Sequence, residues 1–325
     1  MLAVTGTLPT DPSRWSYELK WDGLRIVAGI DVAGIDVAGI DVAGIDVAGA
    51  QSAAAVRLVS RNGRDVSVSF PEVVQALTDW GRRTATSAVL DGEIVATGPA
   101  GTPDFGLLQE RMHVADPARA ATLARRIPLT YLVFDVLQLG GVDLCRTPYD
   151  DRRDVLDGLG LAGGVQVPPR FAGSAQAALD FTREHGLEGV IAKRRDASYR
   201  PGVRSDAWVK TRHLQTQDVV VGGWTAGTGG RSTDFGALLV GVPDGDLLRY
   251  VGAVGTGWTD AALRATTATL AGLATPSAPF RELPAAVARS GHWVRPVLRG
   301  EVSFSGWTRD GRLRHPVWRG FRPDL

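Results

Sequence analysis

The sequence predicts an α+β fold in two domains, the second a small β-barrel, on three observations. At 325 residues the chain is long for one hydrophobic core and suits two. Up to Arg212, strand-like runs alternate with helical patterns. Beyond His213 lysine disappears, and short strands set between glycine-rich turns surround one helical stretch, a texture that suits a small barrel. The expected boundary lies between Arg212 and Gln217, giving domains of residues 1–213 and 214–325.

In the first domain, Met1-Leu2-Ala3 leads through a proline-containing loop to a strand at Ser16–Lys20. Gly23 allows a tight turn into a second strand, Leu24–Ala28. Ile-Asp-Val-Ala-Gly then occurs four times in tandem, from Ile30 to Gly49. A period of five matches neither the strand period nor the helical one, so each repeat would turn the apolar face of a strand over. The segment reads as an expanded hairpin loop, expected to be mobile, between two paired strands. Val56–Ser60 is the returning strand, and Asn62-Gly63 marks a turn. A helix starts at Pro71, with Val73, Val74, Leu77 and Trp80 on one side. Ala88–Ala96 reads as two short strand halves around a carboxylate. Helical patterns cover Phe105–His113, Pro117–Arg126 and Asp150–Leu156, and Ser174 can cap a helix reaching about His185. Leu129–Leu137, Gly189–Lys193 and Trp208–Lys210 read as strands. In the second domain the strands are Asp218–Trp224, Ala237–Val242, Leu247–Val254 and Val297–Ser303, with a helix over Thr259–Leu273.

Composition excludes little. A net charge of +1 does not mark a nucleic-acid binder, although it leaves room for a local basic patch. The single cysteine, Cys145, cannot form an internal disulfide, which fits a reducing compartment. No basic region followed by an apolar run opens the chain, and no apolar stretch is long enough to span a membrane. The expected location is cytoplasmic, associated with the nucleoid.

The lysines carry more information. Of the 36 basic residues only Lys20, Lys193 and Lys210 are lysine. A chain that otherwise uses arginine has a chemical reason available for each lysine, because an amine can lose its proton and form a covalent bond whereas a guanidinium cannot. Lys20 sits in Lys-x-Asp-Gly-x-Arg, where the turn at Asp22-Gly23 brings Arg25 back towards it, within reach of a phosphate. A neighbouring cation favours the neutral form of an amine. Taken alone, the motif is equally a surface Lys–Asp pair before a hairpin turn.

The combination is more specific. Lys20 is followed by Glu93 in Leu-Asp-Gly-Glu, Phe134 in Val-Phe-Asp, Glu188 in Leu-Glu-Gly-Val-Ile-Ala-Lys, and Lys210 in Trp-Val-Lys. One nucleophilic lysine, two carboxylates and two further lysines suit chemistry on a nucleoside triphosphate. The carboxylates can hold a hard divalent cation, magnesium or manganese, and the lysines can neutralise charge building up on phosphate. Phe134 can stack on a base. No Walker loop is present. Individually, Glu93 and Glu188 also read as turn carboxylates, Phe134 as core, and Lys193 and Lys210 as ordinary strand-end lysines.

Glu18-Leu19-Lys20-Trp21-Asp22-Gly23-Leu24-Arg25 resembles the nucleotidyltransferase motif of ATP-dependent DNA ligases. Ser60-Arg61-Asn62-Gly63, Asp91-Gly92-Glu93, Val133-Phe134-Asp135, Glu188 to Lys193, and Trp208 to Arg212 resemble that family's later motifs in order. The likeness is to the bacterial end-joining and repair ligases and covers nearly the whole chain apart from the repeat. It implies an ATP-grasp-like nucleotidyltransferase domain of antiparallel sheets with helices, followed by an OB-fold barrel. It also implies a three-step reaction through an AMP–lysine phosphoramidate on Lys20, acting on nicked duplex DNA as a monomer. By position, Glu18 would read adenine with Phe134 stacked on it, and Arg25 and Glu93 would contact ribose and help organise metal and phosphate. Arg61 would touch phosphate, Glu188 would serve the metal, and Lys193 and Lys210 would grip the α-phosphate. Asp22 belongs to the same catalytic motif.

The family often closes with Arg-x-Asp-Lys, whereas this chain closes with Arg322-Pro323-Asp324-Leu325. Arg314, Arg319 or Arg322 can stand in for the missing lysine. The Lys-x-Asp-Gly core also serves RNA ligases and GTP-using capping enzymes, and a non-catalytic DNA-end-binding protein is a reading from another class. Recruitment by a Ku-like end-binding partner stays open.

Overall fold

Among the described residues, the strands of the N-terminal unit are β1 (Leu2–Thr5), β2 (Trp15–Lys20), β3 (Leu24–Asp31), β4 (Ala55–Ser60), β5 (Ala88–Ala96), β6 (Leu129–Leu139), β7 (Val142–Asp143), β8 (Val165–Gln166), β9 (Gly189–Arg194) and β10 (Arg204–Arg212). They form two sheets, ordered β1-β10-β9-β2 and β4-β3-β5-β6-β7, with β8 parallel to β6. The structure, a computed structural model, describes residues 1–32, 55–99, 101–229, 233–308 and 310–322. The chain divides into two units, Met1–Arg212 and His213–Leu325.

Alternation along the strands of the larger sheet sets its packing. Ile26, Ala28 and Ile30 of β3 point to one face with Leu90, Tyr131 and Val133, where they meet Val73, Leu77 and Trp80 of helix α1 (Pro71–Thr84). Val27, Val59, Val89 and Leu137 point to the other face and pack on Ala207, Trp208 and Tyr199. The larger sheet is thus covered on both faces, which is why β6 reads as an almost unbroken apolar run. Helices α2 (Phe105–Arg111), α3 (Pro117–Arg126), α4 (Tyr149–Asp157) and α5 (Ala175–Glu184) complete the unit. Asp104, Asp116 and Ser174 accept backbone N–H bonds at the starts of α2, α3 and α5.

Three local readings change. Ala88–Ala96 is one continuous strand, and its irregularity is a pair of register shifts against β6, at Val89/Leu90 and Asp91/Gly92. The N-terminal segment contains a strand, β1, held parallel to β10 by pairing that no local pattern announces. Trp208–Lys210 lies within a longer strand, β10. Around the pentapeptide repeat, Ile30 pairs with Val56 and Asp31 with Ala55, so the insertion does lie between paired strands. The expected mobility of the repeat falls on residues 33–54, outside the described residues.

In the C-terminal unit, strands β11 (Gln215–Ala226), β12 (Phe235–Asp244), β13 (Leu247–Val254), β14 (Gly291–Phe304) and β17 (Val317–Phe321) form an antiparallel sheet ordered β13-β12-β11-β14-β17. The intervening β15 (Gly306–Trp307) and β16 (Leu313–Arg314) make a short hairpin. Thr259 caps α6 (Asp260–Gly272), whose Leu263 and Leu270 enter a core of Val219, Val221, Leu238, Val240 and Val302. Trp318 of β17 joins that core, and its amide donates to the Thr256 carbonyl at 2.9 Å. Strand β17 and the short helix α7 (Ala285–Ser290) are elements the sequence pattern did not reveal.

Candidate active site

The site starts from the register of β2, β9 and β10. Lys20 pairs with Gly189, and Gly189 with Arg212; Glu18 pairs with Ile191, and Ile191 with Lys210; Ser16 pairs with Lys193, and Lys193 with Trp208. Alternate residues of a strand share a face, and so do residues directly opposite across antiparallel strands. Glu18, Lys20, Lys193, Trp208, Lys210 and Arg212 therefore project from the same face of one sheet. Two glycines make the arrangement possible. A Cβ on Gly189, whose φ is +150°, would lie 2.1 Å from the Thr211 carbonyl oxygen, so only glycine fits between Lys20 and Arg212. A Cβ on Gly23 would lie 2.2 Å from the Ile94 carbonyl oxygen. That glycine lets the turn after Lys20 and Asp22 settle against β5 beside Glu93.

At the Lys20 end the charges interlock. The Lys20 ammonium donates to Glu188 Oε2, and Arg212 Nε stands 2.8 Å from Glu188 Oε1. Burial, with the cations Arg212, Lys20 and Arg204 nearby, lowers the Lys210 pKa against the opposing pull of Glu188. Burial raises the Glu93 carboxyl to about 8, with Asp91 and Glu188 adding to the shift and Lys20 and Arg25 opposing it. Glu93 and Glu188 are thus close enough to feel each other's charge.

Arg25, expected to contact ribose and phosphate, has protein partners of its own. Its guanidinium makes a two-pronged pair with buried Asp91, at 3.0 and 2.6 Å, and also donates to Tyr199 Oη at 3.2 Å. Tyr199 in turn donates to Asp91 at 2.8 Å. Burial works to lower the Arg25 pKa, but Asp91 more than offsets this and raises it, so the cation is permanent. The guanidinium lies 5.6 Å from the ring centroids of both Phe134 and Trp208.

Lys193 also has partners other than the α-phosphate expected of it. Its ammonium is buried, stands 2.8 Å from Glu18 Oε2 and donates to the Phe134 carbonyl at 3.0 Å. Burial lowers its pKa, while Glu18 and Asp135 act to raise it. Glu18 is itself buried and accepts from Tyr149 Oη and, at 3.4 Å, from Arg153 Nη1, one helical turn further along α4. Beside it, Asp135 of Val-Phe-Asp holds Arg152 at 2.7 and 2.9 Å. That pair anchors α4 to β6 next to Phe134, a half-buried ring packed edge-on to Trp208. Arg61 stands exposed in the turn after β4.

Sequence reasoning missed Asp91, Tyr199, Tyr149, Arg153 and Arg212. Asp91 and Arg212 lay within recognised motifs but had no role assigned. Tyr149 and Arg153, spaced i and i+4 on a short polar helix, gave no signal that separates them from a solvated face.

Among the described residues no three or more His, Cys, Asp or Glu side chains form a metal-holding group. The donor set that is present, Glu93 and Glu188, still fits magnesium, which commonly takes one or two carboxylates and completes its shell with substrate phosphates and water. No helix among the described residues is long and apolar enough to cross a membrane.

Residues 47–212 match the family model of the ATP dependent DNA ligase domain, and residues 231–325 match that of the ATP dependent DNA ligase C terminal region. The multifunctional non-homologous end joining DNA repair protein LigD of Mycobacterium tuberculosis is 40% identical over 326 residues, covering 100% of this chain and 38% of that protein. LigD of Pseudomonas aeruginosa is 35% identical over 95% of this chain and 34% of its own length. The chain therefore spans little more than a third of these curated relatives. The crystal structure of the ligase domain from M. tuberculosis LigD aligns over 100% of this chain and 94% of that one, at 38% identity and a TM-score of 0.54. That domain carries the same architecture, a nucleotidyltransferase domain followed by an OB-fold domain. With both ligase models matched in chain order and a ligase domain aligned end to end, this chain belongs to the ATP-dependent DNA ligase family.

Proposed function

We propose that this chain seals nicks in duplex DNA at the expense of ATP, with Lys20 carrying the AMP. The observation that carries the reading is the sheet face on which Lys20, paired with Glu188, shares its row with Arg212 and stands next to the row of Lys210. An ammonium has no lone pair, so Lys20 reacts only after its proton has left and its pair with Glu188 has opened. Its nitrogen then attacks the α-phosphorus of ATP, and the bond to the pyrophosphate oxygen breaks. The 5′-phosphate oxygen of the nick next attacks the AMP phosphorus, which breaks the P–N bond and returns the lysine. Finally the 3′-hydroxyl attacks the 5′-phosphorus, and AMP leaves.

Lys210 and Arg212 supply cationic charge facing the α-phosphate as negative charge builds on its oxygens. Glu18 and Phe134 take the adenine edge and face, Arg25 borders the ribose, and Arg61 reaches the phosphates. Glu188 and Glu93 would hold magnesium or manganese, which would supply further neutralisation of the phosphates. Residues 1–213 serve as the adenylylation domain and 214–325 as the OB-fold domain that grips DNA. We place the protein in cytoplasmic, nucleoid-associated end-joining repair, as a monomer working with a Ku-like end-binding protein.

Mass spectrometry of the protein after incubation with ATP and magnesium tests the central step. The wild type should gain one AMP, and Lys20→Arg, which keeps the charge but not the nucleophile, should gain none. An adduct of normal yield on Lys20→Arg ends the assignment of Lys20. Sealing of nicked RNA but not nicked DNA by the wild type would replace the DNA ligase reading with an RNA ligase.

A further inference from the structure

Lys193 touches both groups assigned to the base. Its ammonium lies 2.8 Å from Glu18 Oε2, donates to the Phe134 carbonyl at 3.0 Å and stands 4.6 Å from the Phe134 ring centroid. The Trp208 and Tyr149 rings enclose it further, at 4.5 and 5.1 Å. It is 1% exposed, and two of its three donors are engaged. Such a group is poorly placed to meet a phosphate and well placed to fix what it holds.

What it holds is a carboxylate with little freedom left. A carboxylate offers about four lone-pair positions, two on each oxygen. Glu18 Oε1 accepts from Tyr149 Oη and Arg153 Nη1, and Oε2 accepts from Lys193. One acceptor position remains, on Oε2, and its direction is set by the lysine. Both ends of this arrangement are braced from elsewhere. Arg153 is held by Asp157 at 3.1 Å and donates to the Pro168 carbonyl, and Tyr149 opens α4, whose Arg152 is pinned to Asp135. A single fixed acceptor favours a purine carrying an amino group at position 6. It meets a purine carrying a carbonyl there with lone pair against lone pair.

We infer that Lys193, with Tyr149 and Arg153, is a positioning residue for base selection: it locks Glu18 as a one-site acceptor for the 6-amino group of adenine and ties that acceptor to the Phe134 platform. The inference rests on the reading of this site as the ATP site. It assigns Lys193 to the base rather than to the α-phosphate.

Binding of AMP, purine riboside 5′-monophosphate and GMP, measured by calorimetry, separates the two roles. None of these ligands has a pyrophosphate to lose, so no adduct forms. The wild type should prefer AMP over purine riboside monophosphate, which lacks only the 6-amino group, by about tenfold or more, as expected for a hydrogen bond to a charged acceptor. GMP should bind more weakly still. Lys193→Met should bring the AMP to purine riboside ratio within about threefold, and Tyr149→Phe, which keeps the ring, should lower it part of the way. A Lys193→Met protein that binds all three ligands more weakly but keeps the wild-type ratio overturns the inference in favour of a phosphate grip. If Lys193→Met fails to fold, Tyr149→Phe decides alone, and an unchanged ratio overturns the network. Wild-type protein that shows no preference between AMP and purine riboside monophosphate also overturns it. Wild-type protein that prefers AMP as expected but forms no adduct with ATP refutes the ligase reading and leaves the base-selection inference standing.

Discussion

Replacing Glu93 by glutamine should change how stability depends on pH. Glu93 lies on β5 opposite Arg25, and burial raises its carboxyl from an ordinary value near 4.5 to about 8. A raised folded-state value means that the folded protein holds the proton more tightly than the unfolded chain does. The associated stability is complete below the unfolded value near 4.5 and is lost as pH rises to and through 8. Each unit of difference corresponds to about 1.4 kcal/mol, so the loss from pH 4.5 to 9 approaches roughly 5 kcal/mol. Solvent at this partly exposed side chain reduces that to about 2–4 kcal/mol. Glutamine cannot ionise, so Glu93→Gln should avoid the loss. Its stability relative to wild type should climb by that amount between pH 5 and pH 9. Urea denaturation in EDTA at pH 5, 7 and 9 measures it, and comparing slopes cancels any pH-independent effect of the substitution. Parallel stability curves for the two proteins would refute the claim that burial of Glu93 sets its protonation.

Glu188→Ala should slow magnesium-dependent turnover at least about tenfold, since loss of a metal-site partner typically costs 10–100-fold; wild-type rates at every magnesium concentration would count against the metal site. Gly189→Ala should destabilise the N-terminal unit by roughly 1–3 kcal/mol, because its Cβ would stand 2.1 Å from the Thr211 carbonyl oxygen at a φ of +150°. An unchanged urea midpoint would show that the β9–β10 ladder can absorb the methyl group. Arg322, which stands 3.3 Å from Glu301 and 3.5 Å from Asp218, tests the altered C-terminal motif. Arg322→Glu should slow adduct formation from ATP far more than sealing of nicks that already carry AMP, and the reverse order would mark this segment as a DNA clamp.

Local physics is what the sequence carries. Strand-like runs put Lys20, Lys193 and Lys210 on strands before any partner strand was known. The scarcity of lysine singled out Lys20, Lys193 and Lys210 on chemical grounds alone. The helices that start at Pro71 and after Ser174 were legible because those signals are covalently adjacent to what they start. The pairing of β1 with β10 was not legible, because it joins residues about 200 positions apart and leaves no trace in either segment's periodicity. Charge partnership failed for the same reason. Motif order suggested that Arg25 and Lys193 face substrate; sheet register sets Arg25 opposite Glu93, its guanidinium reaches diagonally to Asp91, and side-chain packing carries Lys193 to Glu18 and the Phe134 carbonyl. An arginine on a polar helix looks solvated until the fold buries it, and only the approach of α4 to β2 and β6 turns Arg153 and Arg152 into anchors for Glu18 and Asp135. The sequence alone determined which chemical groups this protein has and which of them lie on strands. Which cation meets which anion was decided by the tertiary structure, because Coulomb and hydrogen-bond energies depend on distances that only the assembled sheets set.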